Sequence, residues 1–348
     1  MTARRSLARR LALPVVLACA AAAAAGASPG ATRRAQGDDT RPPFGDWLNG
    51  VRAEALERGV RPVTLDAAFA GLEPVEQVEQ RDRNQAEFVL SFDRYARRWL
   101  NASFVRLGRR QKASHAALLA KVGKRYGVSP TVLLALWGVE SNYGRFAGVR
   151  PVIATLATLA YDQRRAAFFR GELLDALTIV DRGDIELPQL RGSWAGAMGQ
   201  PQFMPSSYLK YAQDFDGDGR RDIWATPGDV FASMANYLAE HGWQKGGPWG
   251  REVVVPAAAE GRVAEVPLRT QGCRAVRDMS EPRPMREWQR LGVRQPRGKA
   301  LPARAPDASL VRAGSRAFLV HHNYEVLLTY NCAHHYALGV SLLSERLR

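Results

Sequence analysis

One carboxylate in this 348-residue chain stands where a carboxylate is costly, at the end of the apolar run Leu133-Leu134-Ala135-Leu136-Trp137-Gly138-Val139-Glu140. Ser129 can cap a helix here and Pro130 can open it. Leu133, Leu136, Trp137 and Glu140 then fall at i, i+3, i+4 and i+7, one helical face, and Gly144 supplies a stop. Desolvation and the negative end of the helix dipole both hold such a carboxyl protonated near neutral pH. A poised carboxylic acid is what glycosidic bond cleavage requires. The alternative is a glutamate turned outward at a frayed helix end, and this stretch alone does not separate the two.

A second segment, Gly192-Ser193-Trp194-Ala195-Gly196-Ala197-Met198-Gly199-Gln200-Pro201-Gln202-Phe203-Met204-Pro205-Ser206-Ser207-Tyr208, combines small residues with neutral hydrogen-bonding groups and aromatic faces. That mixture suits a carbohydrate; a tightly packed loop between helices reads the same way. A third, Asp214-Phe215-Asp216-Gly217-Asp218-Gly219-Arg220-Arg221-Asp222, fits the first half of an EF-hand loop. Asp214, Asp216 and Asp218 occupy positions 1, 3 and 5, with the Arg220 carbonyl at position 7. Position 12 is Ala225, where a bidentate Glu belongs. The expectation is a structural calcium ion, against an acidic turn that binds no metal, and no organic cofactor. His321, His322, His334 and His335 cluster around Cys332, but their spacing matches no standard zinc pattern.

The elements that must position these groups are mostly helical. Ala86 through Trp99, His115–Tyr126, Thr131–Glu140, Ala166–Val180 and Gly228–His241 carry helical periodicity. From about Gly246 the texture changes. Glu252–Pro256 and Ala264–Leu268 read as short strands, Ala317–Val320 and Glu325–Thr329 as a hairpin, and Ala333–Leu347 as a final helix. The fold class expected is mainly α (α+β). Residues 45–248 form a helical catalytic region, 249–322 a β-rich insert, and 323–348 a C-terminal strand and helix that complete the groove.

Arg4, Arg5, Arg9 and Arg10 followed by the apolar run Leu11–Ala25 read as a secretory signal over residues 1–27, and residues 28–44 as a flexible tether. The expected localisation is exported and periplasmic. Val16-Leu17-Ala18-Cys19 resembles a lipobox, so lipidation at Cys19, as an outer-membrane lipoprotein, is the alternative and the one route to a membrane. Net charge is +15, and only six of the 49 basic residues are lysine. That excess suits a carboxylate-bearing polymer or follows from arginine-rich coding alone. No nucleic-acid motif accompanies it. In an exported chain Cys273 and Cys332 either pair or remain two thiols.

Together these segments resemble the lytic murein transglycosylase B family. Glu140-Ser141-Asn142-Tyr143-Gly144 is similar to its catalytic motif, and Gly196 through Gly199 with Gln202 through Tyr208 to its second. Ala235-Asn236-Tyr237-Leu238 and Tyr330-Asn331 with Tyr336 resemble its third and fourth. The resemblance runs from about Trp47 to the C-terminus and is weakest over 251–320. It implies a lysozyme-like helical core acting on peptidoglycan glycan strands, with Glu140 as acid and base. It implies active-site hydrogen bonds from Ser193 and Gln202, a sugar contact at Phe203, and groove positions for Tyr95, Tyr237, Tyr330, Asn331 and Tyr336. By the same resemblance Arg164 and Arg165 meet peptide or lactyl carboxylates, Phe168 replaces a common tyrosine, and Asp229 completes a lengthened calcium loop. Other cell-wall enzymes are candidate partners.

A hydrolytic glycosidase needs two carboxylates. No second Asp or Glu lies within the sugar-like motifs, and Asp162, the nearest in sequence, has no matching role. One acid suffices if Glu140 protonates the leaving oxygen, the 2-acetamido group stabilises the cationic centre, and the C6 hydroxyl closes on C1. That expectation, a lytic transglycosylase forming 1,6-anhydro-MurNAc ends, stands against a hydrolytic muramidase and a non-catalytic wall-binding scaffold.

Overall fold

The computed structural model describes residues 41–78, 91–162 and 165–348, and the structural statements below concern these. The signal, most of the tether, Cys19, Arg164 and residues 86–90 of an expected helix lie outside them. No helix among the described residues is long and apolar enough to cross a membrane.

The helix that ends at Glu140 is the centre of the fold. Pro130 opens it without an N–H to leave unpaired, and it runs to Ser141. Ser129 makes no side-chain cap; its Oγ lies 3.0 Å from Thr131 Oγ1. The sequence suggests one apolar face, but every residue from Thr131 to Ser141 is buried. The helices Ala102–Ser114, Ala116–Tyr126, Pro227–Glu240 and His334–Arg346 pack around it, so no side is left for solvent. The helix stops two residues before Gly144, at Asn142, which is left-handed at φ 53° and followed by Tyr143 at φ 57°. This reversal folds the Tyr143 ring back on the helix. A Cβ at Gly138 would stand 2.8 Å from that ring, so only glycine admits it.

Val152–Tyr161 and Ala166–Asp181 form a helical pair, flanked by the N-terminal helices Phe44–Glu57 and Pro62–Phe69. Phe92–Leu100 packs on the last helix, His334–Arg346. A two-stranded ladder joins β1 (Arg150–Pro151) to β2 (Arg191–Gly192), and the second motif leaves from β2.

The second sheet is antiparallel, in the order β3 (Gly250–Val253), β5 (Arg316–Val320), β4 (Ser309–Ala313). Central β5 is buried on both faces. Phe318 and Val320 point into the main core, while Ala317 and Leu319 face a satellite core around Trp288. The hairpin partner expected for β5 is corrected: β5 pairs with β4, and residues Glu325–Thr329 belong to the helix His322–Tyr330. A short apolar run carries no period that separates strand from helix, and Val326, Leu327 and Leu328 are buried together as helix. The strand expected over Ala264–Leu268 is also absent. Glu260–Ala264 is a short helix, and Leu268 makes an isolated bridge to Ser280.

Candidate active site

Glu140 sits in the last turn of its helix with 2% of its surface exposed. Burial pushes its carboxyl up to about 8, against the hydrogen bond that Tyr336 donates to Oε1 and that pulls it down. At neutral pH the group is an acid. Its other oxygen, Oε2, is buried with no hydrogen-bond partner. A buried polar atom in that state calls for a partner, and in an open cleft a bound molecule can supply it. Asn331 Oδ1 is in the same condition.

Both residues line a cleft of about 830 Å³. Gln202, Phe203, Tyr237, Tyr330, Arg165 and Phe168 line it too. The Phe203 ring lies 5.7 Å from that of Tyr237 and 5.9 Å from that of Tyr330. The tyrosine hydroxyls are tied to backbone: Tyr237 donates to Thr329 O at 2.7 Å and Tyr330 to Pro201 O at 2.8 Å. Their rings are thereby fixed as flat walls, the surface a sugar ring stacks on. Phe168 is 54% exposed at the margin.

Other residues named from the sequence act on the cleft from behind. Tyr336 holds Glu140, and Tyr95, pushed up to about 12 chiefly by burial and also by the charge of Glu140, stands beside it. Ser193 does not line the cleft; its Oγ accepts the Ala195 and Ala197 N–H groups at 3.2 and 3.1 Å and shapes the loop. Gln202, at φ 55°, donates through Nε2 to Gly199 O at 2.8 Å.

Three features of the cleft escape a reading of the sequence. Gln200 accepts from Trp137 Nε1 at 2.6 Å and donates to Trp224 O at 2.7 Å, bolting the second motif to the Glu140 helix. Glu172, buried, accepts the N–H and hydroxyl of Ser206 at 2.9 and 2.7 Å and fixes the loop from the other side. Its signal was present: like Glu140, it is a carboxylate in an apolar helix. Glu325 is a second carboxylate on the cleft wall, held by Arg269 through two bonds of 2.7 Å. Nothing local in the sequence marks that pairing, because 55 residues separate the partners. Cys273 and Cys332 form a disulfide with Cα atoms 6.3 Å apart, and both line the same wall.

Away from the cleft, Asp214, Asp216 and Asp229 each bring a carboxylate oxygen within 4.8 Å of the others. Asp229 also accepts the Phe215 and Asp222 N–H groups at 2.7 and 2.8 Å. Three converging carboxylates repel unless a cation lies between them, and hard oxygen donors suit calcium. Asp218 is not in the cluster; its Oδ1 takes the Arg220 N–H at 2.8 Å.

Residues 43–345 match the family described as Transglycosylase SLT domain. The chain belongs to that family. It is 46% identical over 123 residues to membrane-bound lytic murein transglycosylase B of Escherichia coli strain K12, a match spanning 35% of this chain and about a third (34%) of that protein. SltB3 of Pseudomonas aeruginosa, in complex with NAG-anhNAM-pentapeptide, superposes with a TM-score of 0.78 at 42% identity, over 86% of this chain and 78% of that one. The E. coli lytic transglycosylase Slt35 in complex with calcium gives 0.71 at 26% identity, over 89% and 94%. The mainly helical, lysozyme-like fold is therefore that of the lytic transglycosylases. Within this SLT family chain, the elements bearing Glu140, the Gly-Met-Gly-Gln loop and the Tyr330-Asn331 turn converge on one cleft.

Proposed function

We propose that this chain is a peptidoglycan lytic transglycosylase that cleaves the β-1,4 MurNAc–GlcNAc bond and leaves 1,6-anhydro-MurNAc ends. The carrying observation is Glu140: buried, pushed up to about 8, with Oε2 unpartnered in a cleft walled by aromatic rings. In the first step Glu140 gives its proton to the bridging oxygen, the C1–O bond breaks, and GlcNAc leaves with that proton. The substrate's 2-acetamido oxygen stabilises the cationic C1. In the second step the C6 hydroxyl of the same MurNAc bonds to C1, and its proton returns to the Glu140 carboxylate. No water is consumed. Supporting this over hydrolysis, the other carboxylate on the cleft wall, Glu325, is held by Arg269 and is not free to act as base or nucleophile. The binding of NAG-anhNAM-pentapeptide by SltB3 supports the same product class.

Mass spectrometry of digested sacculi tests the reading. Products one water lighter than reducing-end muropeptides are expected, and reducing ends alone would make the enzyme a muramidase. With Glu140→Gln, sacculus binding persists and lysis is lost; unchanged lysis would overturn the assignment of Glu140, and binding without lysis by the wild type would make the chain a wall-binding scaffold.

Asp214, Asp216 and Asp229 would hold calcium, which ties the acidic loop to the Pro227–Glu240 helix and takes no part in the chemistry. The basic N-terminal run and its apolar successor support export to the periplasm, where the substrate lies.

A further inference from the structure

Between Asp93 and Glu140 the sequence holds ten lysines and arginines and no aspartate or glutamate. The structure folds this stretch into three consecutive helices: Phe92–Leu100, packed on the His334–Arg346 helix, then Ala102–Ser114 and Ala116–Tyr126, packed on the Glu140 helix. Each repeats one pattern of cations at i, i+3 and i+4: Arg94, Arg97, Arg98; Arg106, Arg109, Arg110; Lys121, Lys124, Arg125. That spacing gathers each triplet on one side of its helix. All but Arg98 are exposed.

Several arginines elsewhere in the protein are paired. Arg58, Arg61, Arg170, Arg221, Arg269 and Arg316 each meet a carboxylate within 4.0 Å. Among the described residues no ion pair involves residues 94 to 139. Like charges three and four residues apart repel, so a triplet repeated on three neighbouring helices is a standing electrostatic cost that an anionic partner would relieve.

We propose that this three-helix basic face is a docking surface for stem-peptide carboxylates of the peptidoglycan network, outside the catalytic cleft. The inference rests on the reading of the protein as a peptidoglycan enzyme. Charge complementarity selects this partner. The Phe92–Leu100 helix that begins the face packs on the His334–Arg346 helix, which carries Tyr336, the hydrogen-bond partner of Glu140. The stem peptides on neighbouring glycan strands carry free carboxylates, repeated along a polymer as the triplets are repeated along the face. A strand in the cleft would thus present its neighbours' charges to the helices, keeping the enzyme on the network between cuts.

The test compares the wild type with a fourfold variant, Arg106→Gln, Arg110→Gln, Lys121→Gln and Lys124→Gln, all exposed positions remote from the cleft lining. At low salt the variant is expected to bind purified sacculi roughly ten-fold more weakly, with the gap closing as salt screens the charges. Cleavage of a short, peptide-free glycan should be unchanged. Sacculi whose carboxylates have been amidated should bind the wild type as weakly as the variant. Equal sacculus binding by wild type and variant overturns the proposal, as does tight wild-type binding to amidated sacculi. So does a loss confined to vesicles of anionic phospholipid, which would make the partner a membrane. Failure of the wild type to cut the short glycan would instead strike the enzymatic reading, leaving the binding comparison to stand or fall separately.

Discussion

Two regions of this molecule bury a carboxylate almost completely and do opposite things with it. Glu140 is 2% exposed in the last turn of one helix, and Asp229 is 1% exposed in the first turn of another. A helix N-terminus favours an anion and a C-terminus disfavours one. Asp229 receives two backbone N–H groups besides, from Phe215 and Asp222. Glu140 receives one tyrosine hydroxyl and leaves Oε2 bare. Burial pushes both carboxyls up, but at Asp229 the two amides pull back. Where donors surround a buried carboxylate it is held in place and ties structure together. Where they are withheld it stays an acid and can give its proton away.

Exchanging the two side chains' chemistry in separate variants gives the largest contrast. Glu140→Gln should reduce sacculus lysis by roughly 10³-fold or more while the protein stays folded. Asp229→Ala leaves two buried amides unpaired, and should lower unfolding free energy by about 2–4 kcal/mol while folded molecules keep their turnover. Chemical denaturation beside a turbidity assay separates these outcomes. If Asp229→Ala abolished turnover in fully folded protein, or Glu140→Gln left it intact, the contrast would collapse.

A smaller effect concerns stability. The native Glu140 carboxyl titrates near 8 and the unfolded one near 4.5. Between those values the native state binds more protons than the unfolded state, so the group's contribution falls as pH rises through that window. Glu140→Gln removes the dependence. The variant should match the wild type's pH trend below pH 4.5 and gain on it by up to about 3 kcal/mol at pH 7, from about 1.4 kcal/mol per pH unit. Thermal melts at pH 4 and pH 7 read this directly, and a gap that does not widen with pH would show that burial is not what holds Glu140 protonated.

The same contrast marks what sequence could disclose. Glu140 was legible because the apolar run that draws other helices around it is made of its own sequence neighbours. The acidic loop was legible in part, since Asp214 and Asp216 are local, but the position of Asp218, outside the three-carboxylate cluster with its Oδ1 on the Arg220 amide, depends on the loop's final backbone path. Glu325 was invisible as a groove carboxylate because its segment looked like a strand, and its partner Arg269 arrives from 56 residues away. The β4–β5 hairpin was misread for a related reason: an apolar run buried on both faces and an apolar helical turn have the same composition. Ser193 resembled a sugar ligand by type, and only the folded loop reveals that its hydroxyl is held by Ala195 and Ala197.

The finest test lies in the single donor that Glu140 does have. Tyr336 reaches it from the His334–Arg346 helix, and this hydrogen bond stabilises the carboxylate form. Tyr336 itself is pushed well above its ordinary range by burial and by Glu140, so it remains a neutral donor throughout. Tyr336→Phe removes the hydroxyl and leaves the ring in place. The carboxyl must then rise above its present value, because the one interaction lowering it has gone while the burial remains. Since the first step needs the protonated acid, the alkaline limb of kcat/KM, set by this group in the free enzyme, should move to higher pH by about one unit. The maximal rate should fall, because the departing carboxylate loses the donor that steadies it between its two proton transfers. A limb that stays fixed, or moves to lower pH, would mean that Tyr336 merely packs against Glu140 and that the contrast with Asp229 rests on burial alone.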